Sequence, residues 1–299
     1  YQSEGQPPEW FLRGMEAASI TNAASSPVTL GEVTLPSTEQ TVTFTGDFTE
    51  TGTFTATAGE TRFVNGNVDF SAITGGTLGG VLYFYNTNTD GTVYTFTSAS
   101  QEMTIPNFQV GGNTKLDLKN VLSCTTFKIT DADKVWDDDF TVSVTASSAH
   151  TLSVMGTGNA LELSRGSGTG ITNEKTGTLS VGENVTLTVS NMAYLHSGTV
   201  IQNAGTLHLK NAENVTTTGV SNPKITNSGT FTVDNAGIIA VAEIENTGTI
   251  STGSATISVQ KIESTGTISL GAGSLSVTGS DSSSISEITL GSTTESGGI

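Results

Sequence analysis

IQNAGTLHL at 201–209, ITNSGTFTV at 225–233, IENTGTIST at 244–252 and IESTGTISL at 262–270 are four writings of one phrase. Each runs from an apolar residue through Asn or Ser to Gly-Thr, then into alternating residues. The aligned glycines, Gly205, Gly229, Gly248 and Gly266, are separated by 24, 19 and 18 residues, and a degenerate fifth copy, TNEKTGTLSV, puts Gly177 another 28 upstream. A turn phrase that recurs at this interval and leads each time into a period-2 strand is the sequence form of a stacked β-solenoid.

The residues inside each copy sharpen that reading. Leu207 and Leu209, Phe231 and Val233, and Ile268 and Leu270 sit two apart and therefore face the same way. Second strands follow in NVTLTVSN, SATISVQKI and SLSVTGS, so each unit has at least two strands and two turns, enough for one circuit of a coil. Two positions before each glycine stand Asn203, Asn227, Asn246 and Ser264. Stacked at the ~4.8 Å strand spacing, they predict an internal polar ladder whose amides bond up and down the coil. Thr206, Thr230, Thr249 and Thr267 are expected to stack beside it. These ladders are scaffold, because every rung needs the same turn.

Upstream, alternation persists without the phrase. VTLGEVTL, TVTFTGDF, GTFTATAG, RFVNGNVDF, LYFYN, GTVYTFT and FQVGGNTKLDL each read as a short strand closed by Gly or Asn. Phe44, Phe48, Phe54, Phe63, Phe70, Phe84 and Phe96 read as core stacked from rung to rung. Tyr83 and Tyr85 flank Phe84 and share the opposite face; if that face meets solvent, they are the candidates for stacking on a sugar or a partner. Alternation continues through FKITDAD, FTVSVTA, HTLSVMG and NALELSRG.

Between two of these strands lies TDADKVWDDDF, where Asp131, Asp133, Asp137, Asp138 and Asp139 crowd around Lys134 and Trp136. Oxygen-rich loops can hold calcium. The glycine at the sixth position and glutamate at the twelfth that mark an EF-hand loop are missing, so a solvated acidic loop with Trp136 against the sheet stands beside the calcium reading. No other cofactor is expected.

The organisation expected is all-β: a right-handed parallel β-helix forming a single elongated domain. Residues 1–19, with Pro7, Pro8, Trp10 and Phe11, read as an N-terminal cap or leader. Irregular β-rich rungs follow over 20–170, and regular repeats over 171–299, with a C-terminus that looks truncated. An antiparallel sandwich over 20–170 joined to a short coil is the alternative.

Composition bounds the partners. Net charge is −17, with 11 basic residues and no basic stripe, which argues against nucleic acid and anionic membranes. Charged residues are 13%, about half the usual share, and Thr, Ser, Asn and Gly fill the polar positions instead. The lone cysteine, Cys124, can form no internal disulfide and reads as a buried small side chain. No run of eighteen apolar residues is present, so this segment inserts no helix into a membrane.

The four phrases, with the acidic, cysteine-poor, Thr/Ser/Gly/Asn-rich composition, make the chain resemble the passenger domains of bacterial autotransporters and related surface adhesins. That resemblance implies a parallel β-helix on a secreted or cell-surface bacterial protein, which would meet host or matrix glycans or proteins without catalysis. A polysaccharide-active β-helix enzyme, a lyase or hydrolase using the acidic cluster at 131–139, is the alternative. Hydrolysis needs two opposed carboxylates, and Asp117 and Glu162 are the further acids to test. The pattern Asn-x-Asp, Asp-Asp, Gly-His, Arg-x-Lys of β-helix polysaccharidases is not present: none of His150, His196 or His208 follows glycine. His208 points away from the Leu207/Leu209 face and is expected in solvent. Thr-x-Thr arrays such as Thr41/Thr43/Thr45 and Thr53/Thr55/Thr57 read as ordinary strand threonines.

Overall fold

The computed structural model describes residues 20–21, 28–34, 41–86, 92–98, 103–111, 114–130, 140–155, 161–164, 177–190, 193–196, 198–210, 214–218, 223–234, 238–279 and 283–290. The expected cap at 1–19 and the acidic loop at 131–139 lie outside them. Among the described residues there is no helix, and every strand pairing is parallel. The antiparallel sandwich is thereby excluded, and the chain is a parallel β-solenoid, elongated and of one domain.

Each circuit contributes to three ladders. Ladder A climbs through Ile20–Thr21, Thr41–Thr45, Glu60–Val64, Val81–Tyr85, Asn107–Val110, Thr126–Thr130, Leu161–Ser164, Ala193–His196, Asn214–Thr218, 238–241, 256–259 and Ser274–Val277. Ladder B takes 28–30, 48–50, Val68–Asp69, Tyr94–Thr97, Thr114–Asp117, Phe140–Thr145, Gly177–Val181, Thr199–Asn203, Lys224–Asn227, 243–246, 261–264 and 284–285. Ladder C joins 32–34, 53–56 and Gly75–Leu78, then resumes with Met103–Thr104, Val121–Cys124, His150–Val154, Val185–Val189, Thr206–Lys210, Thr230–Asp234, Thr249–Thr252, 267–270 and 287–290.

Alternation fills the interior. In the early rungs the filling is aromatic: Phe44, Phe63 and Phe84 occupy one column of ladder A, with ring centroids 5.5 and 5.3 Å apart and nearly parallel planes. Phe108 and Phe127 stack in the neighbouring column at 5.6 Å. Phe48, Phe54, Phe70 and Phe96 pack across from the other ladders, each essentially inaccessible. Each such pair contributes about 0.5–1.5 kcal/mol beyond the area it buries. Later rungs are mainly aliphatic: Leu187, Leu207, Ile250 and Ile268 form one continuous column of ladder C in which Phe231 is the aromatic member.

The amide ladder forms as expected. Asn203 Nδ2 donates to Asn227 Oδ1 at 2.7 Å, Asn227 Nδ2 to Asn246 Oδ1 at 2.8 Å, and Asn246 Nδ2 to Ser264 Oγ at 3.0 Å. The same amides also donate to Thr230 O at 2.8 Å and Thr249 O at 3.1 Å, which ties them to the turn one rung on. All four residues are buried. Their column is the one that Phe48, Val68, Phe96, Leu116, Val144 and Val181 fill earlier, so polar bonding replaces apolar contact within a single line.

The glycines explain themselves by crowding. A Cβ on Gly229 would lie 2.0 Å from the Gly205 carbonyl oxygen, and one on Gly248 would lie 2.1 Å from that of Gly229. Those oxygens accept hydrogen bonds from Thr230 N at 2.8 Å and Thr249 N at 2.9 Å, so they cannot move aside. The fifth copy needs correction here. Gly177 lies in a ladder B strand opposite Thr199, and it is Gly182 whose carbonyl oxygen Gly205 approaches. The turn between Val181 and Thr186 is two residues longer than that between Asn203 and Thr206, which shifts the phrase out of alignment.

Candidate functional site

A packed solenoid leaves its outward columns as surface, and the predicted residues can be placed on them. On ladder A the outward column runs Thr43, Arg62, Tyr83, Gln109, Lys128, Glu162. The Arg62 guanidinium lies 5.6 Å from the Tyr83 ring centroid, within cation–π range, and pairs with Glu60. Tyr83 and Tyr85 rings are 5.5 Å apart. Alternation put Tyr83 on the outward side correctly, but it is only 1% exposed. Its ring has no open face for a sugar, which corrects the expectation for that residue: Tyr83 is covered, flanked by Arg62 one rung before and Gln109 one rung after. Tyr85 is half-buried. Trp136 and Asp131, Asp133, Asp137, Asp138 and Asp139 lie outside the described residues.

The other acids do not converge. Glu162 belongs to ladder A and forms an ion pair with Lys128 at 3.1 Å, whereas Asp117 belongs to ladder B. They stand on different faces of the coil and make no opposed pair. Among the described residues, no group of three or more His, Cys, Asp or Glu side chains is arranged to hold a metal ion. His208 does point outward, yet it is not free in solvent: its Nε2 lies 2.6 Å from Asp234 Oδ2 on the next rung. Cys124 is 1% exposed, and burial pushes its thiol pKa up to about 12, so it carries no thiolate chemistry near neutrality.

Two outward features escaped sequence reasoning, the second polar column of ladder C and an ion-pair lattice on ladder B. On ladder C, Thr206, Thr230, Thr249 and Thr267 stack as expected, with Thr186 before them, and a second column, Thr188, His208, Thr232, Ser251 and Ser269, runs parallel to it, buried at Thr188 and more open beyond. The signal for the second column was the polar residue that follows the first apolar one after each Gly-Thr: His208, Thr232, Ser251 and Ser269. On ladder B, Lys224, Glu243 and Lys261 follow one another up a column. Lys224 pairs with Glu243 at 3.7 Å and with Glu245, and Lys261 pairs with Glu243 at 3.3 Å and Glu263 at 2.7 Å. The hydrogen bond to Glu263 raises the Lys261 pKa, and the same bond lowers that of Glu263.

Glu50 is the third surprise. It is fully inaccessible, with Oε1 accepting the Gly52 N–H at 2.8 Å. Its place two residues after Phe48 in the alternating FTETGTF was the available signal. The contact braces a corner of the coil from inside. No protein-family model, curated protein or solved structure matches this chain.

Proposed function

We propose that the chain is a non-catalytic adhesin or structural passenger, secreted or displayed on a bacterial surface, that meets host or matrix glycans or proteins along its length. One observation supports this reading above others. The amides of the repeat are spent on the scaffold, while its threonines, Thr206, Thr230, Thr249 and Thr267, line an outward column of ladder C and present uncharged hydroxyls rung after rung. Such a face offers many weak, equivalent hydrogen bonds, which suits a repetitive ligand and multivalent attachment. Among the described residues, Asp117 and Glu162 stand on different ladders and form no opposed pair of the kind that glycoside hydrolysis needs.

A glycan array combined with a reducing-sugar release assay tests the proposal: glycan or protein capture without release is the expected result. Sugar release that disappears in Asp137→Asn or Asp138→Asn would replace it with the polysaccharide-active enzyme. Calcium held by the aspartates at 131–139 is a separate part of the proposal. Thermal unfolding with and without chelator decides it, since a metal bound only by the folded state must raise the midpoint.

A further inference from the structure

The uncharged face of the repeat is wider than the two strand columns of ladder C. Ser228, Thr247 and Thr265 each precede a turn glycine, and all three are exposed. On each of their rungs two residues separate the amide column from the threonine column, so these three hydroxyls fall into line at the corner between ladders B and C. Thr230, Thr249 and Thr267 stand beside them, with Thr232, Ser251 and Ser269 beyond. The result is a grid of three rungs by three columns with a hydroxyl at every point. Its points repeat at about 4.8 Å along the coil, and the two strand columns lie about 7 Å apart.

The grid is not engaged by the fold. Among the described residues, only Ser228 of this set bonds through its hydroxyl, to the Asn203 carbonyl oxygen at 3.4 Å. Outward hydroxyls elsewhere on the coil do find partners, as Thr126 does with Asn107 and Thr256 with Ser274, both at 3.0 Å. Charge begins only at the margins, with Asp234 beyond Thr232 and, across the corner, Glu245 and Glu263 two residues before Thr247 and Thr265. Those carboxylates and the net charge of −17 repel an anionic polymer. Protein interfaces are anchored by large side chains in a desolvated centre. The described residues with large exposed apolar side chains are Val93 and Met155, on earlier rungs, and Val277, on ladder A.

We propose that this grid is the binding face for a neutral, extended polysaccharide of the insoluble, ordered kind. The proposal rests on the glycan-binding reading above and narrows it to one ligand class and one place on the coil. A hydroxyl both donates and accepts, so the grid matches the hydroxyls of a neutral sugar in either role. With no aromatic platform a single sugar is held weakly, and affinity comes from engaging several rungs at once. A soluble oligosaccharide loses conformational freedom when it is laid along the face, whereas a chain in an ordered array has already lost it.

Retention of the whole chain on microcrystalline cellulose and on chitin, with alginate beads as the acidic polymer, tests it. Capture by at least one neutral polymer and none by alginate is expected. Thr230→Val, Thr249→Val and Thr267→Val together remove three hydroxyls but keep the branched strand side chains. Their denaturation midpoint should therefore hold while retention falls by about tenfold or more. Ser258→Ala with Ser276→Ala, outward on ladder A, should leave retention unchanged. No capture by either neutral polymer, equal capture by alginate, or capture untouched by the triple change overturns the proposal. Glycan or protein binding on the array that survives the triple change would also overturn it, while leaving the adhesin reading in place.

Discussion

One column of ladder B runs through two regimes. From Phe48 to Val181 it is filled by apolar side chains, and from Asn203 to Ser264 by amides and a hydroxyl. The apolar stretch tolerates very unequal circuits: 20 residues separate Phe48 from Val68, 28 separate Val68 from Phe96, and 37 separate Val144 from Val181. The polar stretch does not, with 24, 19 and 18 residues between successive members. Apolar burial is non-directional, so any loop that returns the chain to register will serve. An amide must place its N–H within about 3 Å of the next oxygen at a good angle, so the turn beside it is held nearly constant. Insertions therefore belong to the apolar half, whereas the even face with its hydroxyl columns belongs to the polar one.

The sharpest way to break this contrast is at the turn. In Gly248→Ala the new Cβ falls 2.1 Å from one backbone oxygen and 2.6 Å from another. The backbone of two rungs must separate, and a loss of about 3 kcal/mol or more is expected. Gly75→Ala, in a strand of the apolar half, meets nothing nearer than Thr53 Cγ2 at 3.9 Å and should change stability little. Chemical denaturation of both variants is the measurement, and equal losses would contradict the distinction.

The column itself gives the next largest effect. Asn227→Leu removes the acceptor of Asn203 Nδ2 and the donor to Asn246 Oδ1, leaving buried polar groups on two rungs short of partners. Each such group costs about 1–3 kcal/mol, so a total of about 2–4 kcal/mol is expected. Phe96→Leu, in the same column upstream, trims an apolar contact and should cost about 1–2 kcal/mol. If the leucine at 227 proved the milder change, the amide ladder would be dispensable.

Much of this was legible beforehand. The Asn, Gly and Thr of the four phrases, their alternating neighbours and the core phenylalanines follow from periodicity and turn chemistry alone. Gly177 shows where pattern matching slips: a period-2 strand looks the same after any even shift, and only the pairing of Leu179 with Ile201 rather than Leu207 reveals that the turn glycine is Gly182. Tyr83 marks a different limit. Alternation assigns a residue to a side of the strand, whereas cover over that side is a tertiary fact. The threonine column of ladder C belongs with the legible part, since Thr206, Thr230, Thr249 and Thr267 stack as the phrase predicts, whereas the ion-pair column Lys224, Glu243 and Lys261 emerges only from the register.

The start of the amide ladder offers a subtler test. Asn203 Oδ1 is buried without a hydrogen-bond partner because Val181 stands above it in the column. Val181→Asn would supply the missing donor and, by joining the ladder, should cost no more than about 1 kcal/mol net. Val144→Asn, one rung earlier, faces Val181 and Leu116 instead and should cost about 2–3 kcal/mol as an unpaired buried amide. Comparable losses for the two would show that the ladder confers no local tolerance for amides.

The smallest expected effect lies outside the coil, where Lys224, Glu243, Lys261 and Glu263 interlock on ladder B. Glu263 has its pKa lowered from 4.5 by the Lys261 hydrogen bond. Its contribution to stability is therefore present above pH 4.5 and lost as pH falls through the lowered value. Lys261 has its pKa raised from 10.5, first by that same bond and then by Glu243, so its contribution is complete below pH 10.5 and lost as pH rises through the raised value. Between these limits the lattice is intact, and because it is exposed its effect is small and screened by salt. The thermal midpoint should sag at both pH extremes by slightly more in the native chain than in Lys261→Met, and the difference should vanish in concentrated salt. A difference that survives salt would mean that these charges act as part of the buried ladder rather than on its surface.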